Sequence, residues 1–197
     1  MYSFKIEQAI RAAGVLHADQ TRKGTAPFPY ITHLIAVAFI LRDYTTDEDT
    51  LIAGLLHDTL EDTDYTPEEI EADFGSNVRE LVEGVTEVRK HEKKNYTWSE
   101  RKDRYLKNLE KAPRGSLMIS AADKIHNMRS IVEEYTGNEA QYIKDFSADP
   151  SQHIEMYQKL KFLLNAQLQS DIMNEYNHVF SQYISFLNDA QKIYEPR

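Results

Sequence analysis

Gly54-Leu55-Leu56-His57-Asp58-Thr59-Leu60-Glu61-Asp62 is the stretch whose reading decides the fold. An apolar run, Leu51 to Leu56, heads into a core and ends at a His-Asp pair followed by two more carboxylates. The pattern predicts one helix from Asp47 to Asp62, with Leu51, Ile52, Leu55 and Leu56 facing inward. On that helix His57 and Glu61 stand four apart, as do Asp58 and Asp62, so each pair shares a side. Burying such a cluster uncompensated is expensive, and a divalent cation is the usual compensation. Taken alone, the stretch reads equally as an exposed acidic helix end with a passing histidine.

Upstream, residues 3 to 21 carry Phe4, Ile6, Ala9, Ile10, Ala13, Leu16 and His17 at helical spacing. His17 is expected on the inner face as a hydrogen-bonded core histidine. A loop with one Gly and two Pro follows, Arg22-Lys23-Gly24-Thr25-Ala26-Pro27-Phe28-Pro29-Tyr30. Its Arg22-Lys23 pair would be unremarkable by itself. Thr32 can N-cap the next helix, Leu34 to Arg42, which puts His33 in its first turn. The positive end of the helix dipole there favours a neutral, metal-binding imidazole.

Downstream, Thr66-Pro67-Glu68-Glu69 is a capping box with Pro at the first helical position, opening a helix that Gly75 ends. Another helix is predicted over 76–87, with Val78, Leu81, Val82 and Val85 inward. Residues 88 to 104 hold Arg89, Lys90, Lys93, Lys94, Arg101, Lys102 and Arg104, interleaved with acids, and read as a solvated loop and helix face. Trp98 is expected to pack. From Pro113-Arg114 a helix runs to about Tyr135, placing Asp123, His126 and Asn127 on one face among Leu117, Met118, Ala121, Ala122 and Ile125. A carboxylate in such apolar surroundings needs a partner, and a metal shared with His57 and Asp58 would supply one. Beyond Gly137, helical stretches run through Tyr142 to Phe146, Ile154 to Leu168 and Ile172 to Ile193. Leu160, Leu163, Leu164 and Leu168 make one stripe, and Tyr176, Val179, Phe180, Tyr183, Ile184 and Leu187 another, a packing element or a homodimer surface.

A chain of 197 residues fits one domain, or one domain with a helical appendage. Hydrophobic residues at 41% and charged ones at 28% are ordinary for a soluble globular protein. The longest apolar run, Leu34 to Leu41, has eight residues, against roughly 20 for a membrane span. The N-terminus lacks the organisation of a signal peptide. With no cysteine there is no disulfide framework, no zinc-thiolate site and no thiol nucleophile, and a reducing cytoplasm is the simplest home. A net charge of −9 argues against a nucleic-acid or anionic-membrane binder. A phosphorylated small molecule fits if a metal and a few placed cations supply local positive charge.

Three separated segments thus offer His33, His57-Asp58 and Asp123, an N/O set suited to Mn²⁺, Fe²⁺, Co²⁺ or Zn²⁺. The order His…His-Asp…Asp on helices resembles the HD-domain phosphohydrolase superfamily. Longer strings are more specific: His17-Ala18-Asp19-Gln20-Thr21-Arg22-Lys23, Tyr30-Ile31-Thr32-His33, Leu55 through Thr63, Phe74-Gly75, Leu81 through Thr86 and Ala122 through Arg129. These resemble the hydrolase domain of the RelA/SpoT alarmone family over roughly residues 5 to 135. The chain has no room for that family's synthetase and regulatory domains, so it looks like a free-standing small alarmone hydrolase.

The resemblance implies an all-α bundle of about eight to ten helices in a single domain, with 1–135 as the hydrolase core and 136–197 packed on it. It implies a Mn²⁺-dependent removal of the 3′-pyrophosphate from guanosine 3′,5′-bis(diphosphate) or its 5′-triphosphate analogue. By position, His33, His57, Asp58 and Asp123 would ligate the metal. Glu61 and Asp62 would orient and deprotonate the attacking water. Arg22 and Lys23 would lie beside the nucleotide, with Asn127 on its sugar-phosphate, and Lys124 would add charge neutralisation. The chain departs from the family after Arg22-Lys23, where Ser-Gly-Glu-Pro-Tyr is usual and this loop is two residues longer. The segment from 86 to 112 looks more like a broader group of small bacterial HD hydrolases. Another HD phosphohydrolase, such as a 5′-nucleotidase, is the alternative enzyme, and a non-catalytic nucleotide sensor the alternative outside enzymes.

Overall fold

The computed structural model describes residues 3–24, 26–88, 90–91, 94–146 and 149–194. Among them lie ten helices of eight residues or more, one single-turn helix and a short two-stranded ribbon. The all-α expectation holds, and the ribbon, β1 (Lys90–His91) paired with β2 (Lys94–Asn95), is the one feature it did not include. Arg89, Lys93 and Thr25, named above in the basic stretch and the loop, lie outside the described residues.

The first helix, α1 (Phe4–Leu16), is capped by Ser3, whose hydroxyl accepts from the Ile6 amide. It stops five residues short of the predicted end at 21. His17 Nδ1 bonds the Gln20 side chain at 2.7 Å, and the chain turns back so that Thr21 bridges Pro29 and the Tyr30 amide donates to the Gln20 carbonyl. His17 is buried, as expected. The next helix, α2 (Ile31–Arg42), begins before Thr32, which is therefore not its N-cap. The Thr32 hydroxyl instead donates to the Pro29 carbonyl at 2.8 Å. His33 does fall in the first turn.

The predicted Asp47–Asp62 helix is two helices, α3 (Glu48–Leu56) and the single turn α4 (Thr59–Asp62). Asp47 caps α3 by accepting from the Thr50 amide. The break has a local cause. His57 Nδ1 bonds the Gly54 carbonyl at 2.8 Å and the Thr59 hydroxyl donates to the Leu56 carbonyl at 2.6 Å, both within the last turn of α3. Two side chains thus take carbonyls that the next turn's amides would have used. Gly54 is needed for another reason: a Cβ there would sit 2.4 Å from Leu41 Cδ1, so its absence lets α3 close on α2.

The capping box at Thr66 and Glu69 is present and opens α5 (Pro67–Phe74), which ends at Gly75 with φ +100°. Only glycine adopts that conformation without strain. In α6 (Ser76–Val85), Val78, Leu81, Val82 and Val85 are buried as predicted. The chain leaves the helix at Thr86, two residues early, which turns Glu87 inward. After α7 (Trp98–Leu109), the long α8 (Arg114–Tyr135) runs through the middle of the molecule, buried from Ser116 to Asp123. It packs on α2, α3 and α6 on one side and on α9 (Glu139–Phe146) and α11 (Ile172–Ile193) on the other. With α10 (Pro150–Gln167), the tail buries Leu160, Leu164, Leu168, Tyr176, Val179, Phe180, Tyr183 and Leu187 inside the chain. Those residues serve as a packing element, while Leu163 and Ile184 of the same stripes are only partly buried. Among the described residues no helix is long and apolar enough to cross a membrane.

Candidate active site

Four side chains meet against the middle of α8, where Asp123 lies. His33 Nε2 lies 3.3 Å from Asp123 Oδ1 and 3.7 Å from Asp58 Oδ2. His57 Nε2 lies 3.1 Å from Asp58 Oδ2 and 3.7 Å from Asp123 Oδ1. The two imidazole centroids are 5.2 Å apart, at 65°. His33 and His57 are both buried. The fragments called from sequence as metal ligands are therefore brought together, although the helix carrying two of them is broken.

The donor set fits a divalent cation. The His57 Nδ1 bond to the Gly54 carbonyl makes Nδ1 the protonated nitrogen and leaves Nε2 carrying a lone pair. That Nε2 is buried and has no hydrogen-bond partner, yet faces two carboxylate oxygens. A lone pair set against two anionic oxygens calls for a positive charge between them. Without a metal a proton takes that place: burial pulls the His57 pKa down, but the Asp58 and Asp123 carboxylates outweigh it and hold it well above the usual value. Burial likewise pushes Asp58 and Asp123 up and is outweighed, by His57 at Asp58 and by Lys124 and both histidines at Asp123. Both carboxyls stay ionised. Burial lowers His33, leaving it the neutral imidazole that metal ligation requires.

A second layer fixes the orientation of each of these groups. His33 Nδ1 sits 2.8 Å from His126 Nδ1, and burial, then His33 and Arg22, bring His126 down to about 4, so it accepts the His33 proton. Tyr30 donates its hydroxyl to Asp58 Oδ2 at 2.6 Å while stacking on His17 with centroids 5.2 Å apart. Asp123 is held by Lys124 and by the Asn127 amide nitrogen. Asn127 Oδ1 in turn accepts from Arg22 Nη2 at 2.6 Å, which ties the loop after α1 to a ligand on α8.

Around this cluster is a cavity of about 210 Å³ whose charged lining is Asp58, Glu61, Glu87, Asp123, Arg101, Lys102 and Lys124, beside the two histidines. It opens into a groove of about 550 Å³, reached past Tyr30, Lys102, Lys124 and Asn127, which line both. Of the predicted residues, Glu61 faces the cavity, its Oε1 accepting from the Glu87 amide at 2.6 Å. Asp62 does not. It lies on the groove side, near Gln20, whose amide donates to the Asp62 carbonyl, and shares with Glu61 an outer pocket of about 740 Å³. Arg22 and Lys23 also line the groove, with Lys23 Nζ 5.8 Å from the Phe146 ring centre.

Tyr30, His126, Glu87, Arg101 and Lys102 are site residues that sequence reading did not assign. Arg101 and Lys102 correct the solvated-face expectation for 88–104: they turn inward to pair with the buried Glu87. Their neighbours Glu100 and Asp103 masked them, and only the position of Glu87 just past a helix end could have drawn attention to them. His126 was visible beside Asp123, but its partner His33 is 93 residues away.

The HD domain family matches residues 9–148. A GTP pyrophosphokinase of Streptomyces coelicolor is 42% identical over 127 residues, 64% of this chain and 15% of that protein. A guanosine-3′,5′-bis(diphosphate) 3′-pyrophosphohydrolase of Aquifex aeolicus is 39% identical over 130 residues, covering 64% of this chain and 18% of that one. The chain thus spans less than a fifth of the length of these curated relatives. Among solved structures, a metazoan ortholog of SpoT that hydrolyzes ppGpp is similar with a TM-score of 0.76 and 29% identity, over 92% of this chain and 97% of that one.

Proposed function

The chain belongs to the HD domain family, and from that premise we propose that it is a metal-dependent phosphohydrolase that removes the 3′-pyrophosphate from guanosine 3′,5′-bis(diphosphate) or its 5′-triphosphate analogue. One observation carries the reading: a buried His57 Nε2 with no hydrogen-bond partner faces Asp58 and Asp123 across from His33. Likeness to an alarmone hydrolase of nearly the same length supports the choice of substrate.

His33, His57, Asp58 and Asp123 would hold the ion, and Mn²⁺ is the proposed one. A divalent ion there supplies Lewis acidity for water and charge neutralisation for a phosphate oxygen. Glu61, aimed by the Glu87 amide, takes a proton from the attacking water. The water oxygen joins the phosphorus attached to the ribose as the bond from that phosphorus to the 3′ oxygen breaks. Pyrophosphate departs, and the 3′ oxygen leaves with a proton as GDP or GTP. Lys124 holds Asp123 in place and adds positive charge beside the phosphates. Arg22 and Asn127 act as one unit at the groove's edge, with Lys23 near by, to seat the nucleotide. Asp62, on the groove side, is assigned to placing the substrate near Glu61.

The purified protein is to be incubated with Mn²⁺ and a panel of phosphorylated nucleotides, and the products identified by mass spectrometry. Pyrophosphate with GDP or GTP from the alarmone is the expected outcome. Orthophosphate from nucleoside monophosphates would make it a nucleotidase, and binding without turnover under any divalent metal would make it a sensor.

A further inference from the structure

We propose that Glu87, Arg101 and Lys102 form a pyrophosphate-binding pocket that grips the outer phosphate of the group being removed. The proposal rests on the hydrolase reading above for its place in the reaction. The pocket lies in the same cavity as the four proposed ligands, whereas Arg22 and Lys23 line the groove. Glu87 is 8% exposed, so its carboxylate needs a partner, and it has two: Arg101 Nη1 at 3.0 Å from Oε1, and Lys102 Nζ on Oε2. Among the described residues Glu87 is the acid that pairs with each of these cations. Two cations therefore share one directly paired carboxylate on this part of the wall, with Glu61 attracting Lys102 from farther off and the proposed ion offsetting the acids of the ligand cluster. An anion is what that imbalance accepts, and a guanidinium beside an ammonium is a phosphate-binding pair.

A link to Glu61 ties the pocket to the proposed chemistry. The same residue that holds the two cations through its side chain holds Glu61 through its backbone amide. An anion seated on Arg101 and Lys102 is thereby placed at a set distance from the proton acceptor. In the proposed pose a pyrophosphate places its inner phosphate toward His57 and Asp58 and its outer one on the cation pair, all of which line one cavity.

Trp98, the chain's sole tryptophan, reports on this pocket because Lys102 Nζ lies 5.9 Å from its ring. The experiment titrates the Mn²⁺-loaded protein with inorganic pyrophosphate and follows Trp98 fluorescence. Saturable binding is expected, weakened about tenfold or more in Arg101→Gln and in Lys102→Gln, and largely restored in Arg101→Lys. Glu87→Gln removes the internal competitor for both cations and is expected to tighten pyrophosphate binding. Equal pyrophosphate affinity in wild type and Arg101→Gln, or weakening in Glu87→Gln as large as in Arg101→Gln, would overturn the pocket. The two readings fail separately. Alarmone turnover with pyrophosphate binding indifferent to Arg101 sinks the pocket alone; Arg101-dependent pyrophosphate binding with no alarmone turnover sinks the substrate assignment and leaves the pocket standing.

Discussion

The cavity and the groove share Tyr30, Lys102, Lys124 and Asn127, yet they are built on opposite principles. In the cavity most polar atoms are committed: Asp58 to Tyr30 and the histidines, Asp123 to Lys124 and Asn127, Glu87 to two cations. The groove is walled by Trp98, Tyr135, Phe146, Met156, Tyr157 and Tyr183, with Arg22 and Lys23 at its rim. Charge placed that tightly serves chemistry, because it costs no reorganisation when a reaction begins. Aromatic walls serve binding, because a flat ring gains contact area and loses little entropy. The first region is built from residues before 136; the second needs the tail.

Changes in the cavity should therefore destroy turnover, and changes in the groove should alter binding. The largest effect is expected from Asp123→Ala or Asp58→Ala: metal content falls to background and alarmone hydrolysis drops by about a thousandfold or more. Metal analysis beside the assay would expose the contrary case, a metal-loaded and active variant. Glu61→Gln sharpens the point, since it should keep the metal while kcat falls about 10²- to 10⁴-fold. Arg22→Gln tests the groove. It loses the bond to Asn127 and should raise KM about tenfold with a much smaller change in kcat; the reverse split would move Arg22 into the chemistry.

The smallest expected effect concerns stability in acid. His153 stacks on Trp98 with centroids 5.4 Å apart and 6° between planes, and its Nδ1 lies 3.1 Å from the Tyr142 hydroxyl. Burial, then Lys102, lowers its pKa to about 4. The unfolded chain, with an ordinary histidine near 6.5, takes up the proton first as pH falls. This contribution to stability is therefore intact above about 6.5 and is lost progressively down to about 4, on the order of 3 kcal/mol in all. Urea unfolding followed by Trp98 fluorescence should show that slope, and His153→Gln should flatten it. An unchanged slope in the variant would assign the acid sensitivity to His33 and His126, whose pKa values burial also lowers.

Much of this was legible from sequence, for identifiable reasons. His57-Asp58 and Asp123 announced themselves because carboxylates and a histidine stood in otherwise apolar helices, and buried charge demands a partner. His33 followed from its place in a helix's first turn. Helical spacing also foresaw the burial of Leu51, Ile52, Leu55 and Leu56. The break at His57-Asp58 was hidden, because it arises from side chains capturing the Gly54 and Leu56 carbonyls, which periodicity does not register. Glu61 and Asp62, successive residues of the single turn α4, point about 100° apart, so Glu61 alone reaches the cavity while both line an outer pocket. Arg101 and Lys102 were hidden for a different reason: their partner Glu87 lies across the ribbon, and local composition alone made them a solvated face. The groove escaped notice because its walls come from α7 to α11, whose aromatic stripes look the same whether they fill a core or line a space.

Anomalous diffraction from crystals of the Mn²⁺-loaded protein, collected at the manganese edge, tests the central claim most directly. The account predicts one peak within coordinating distance of His33 Nε2, His57 Nε2, Asp58 Oδ2 and Asp123 Oδ1 together. A peak elsewhere, or none among these four atoms at saturating Mn²⁺, would contradict it.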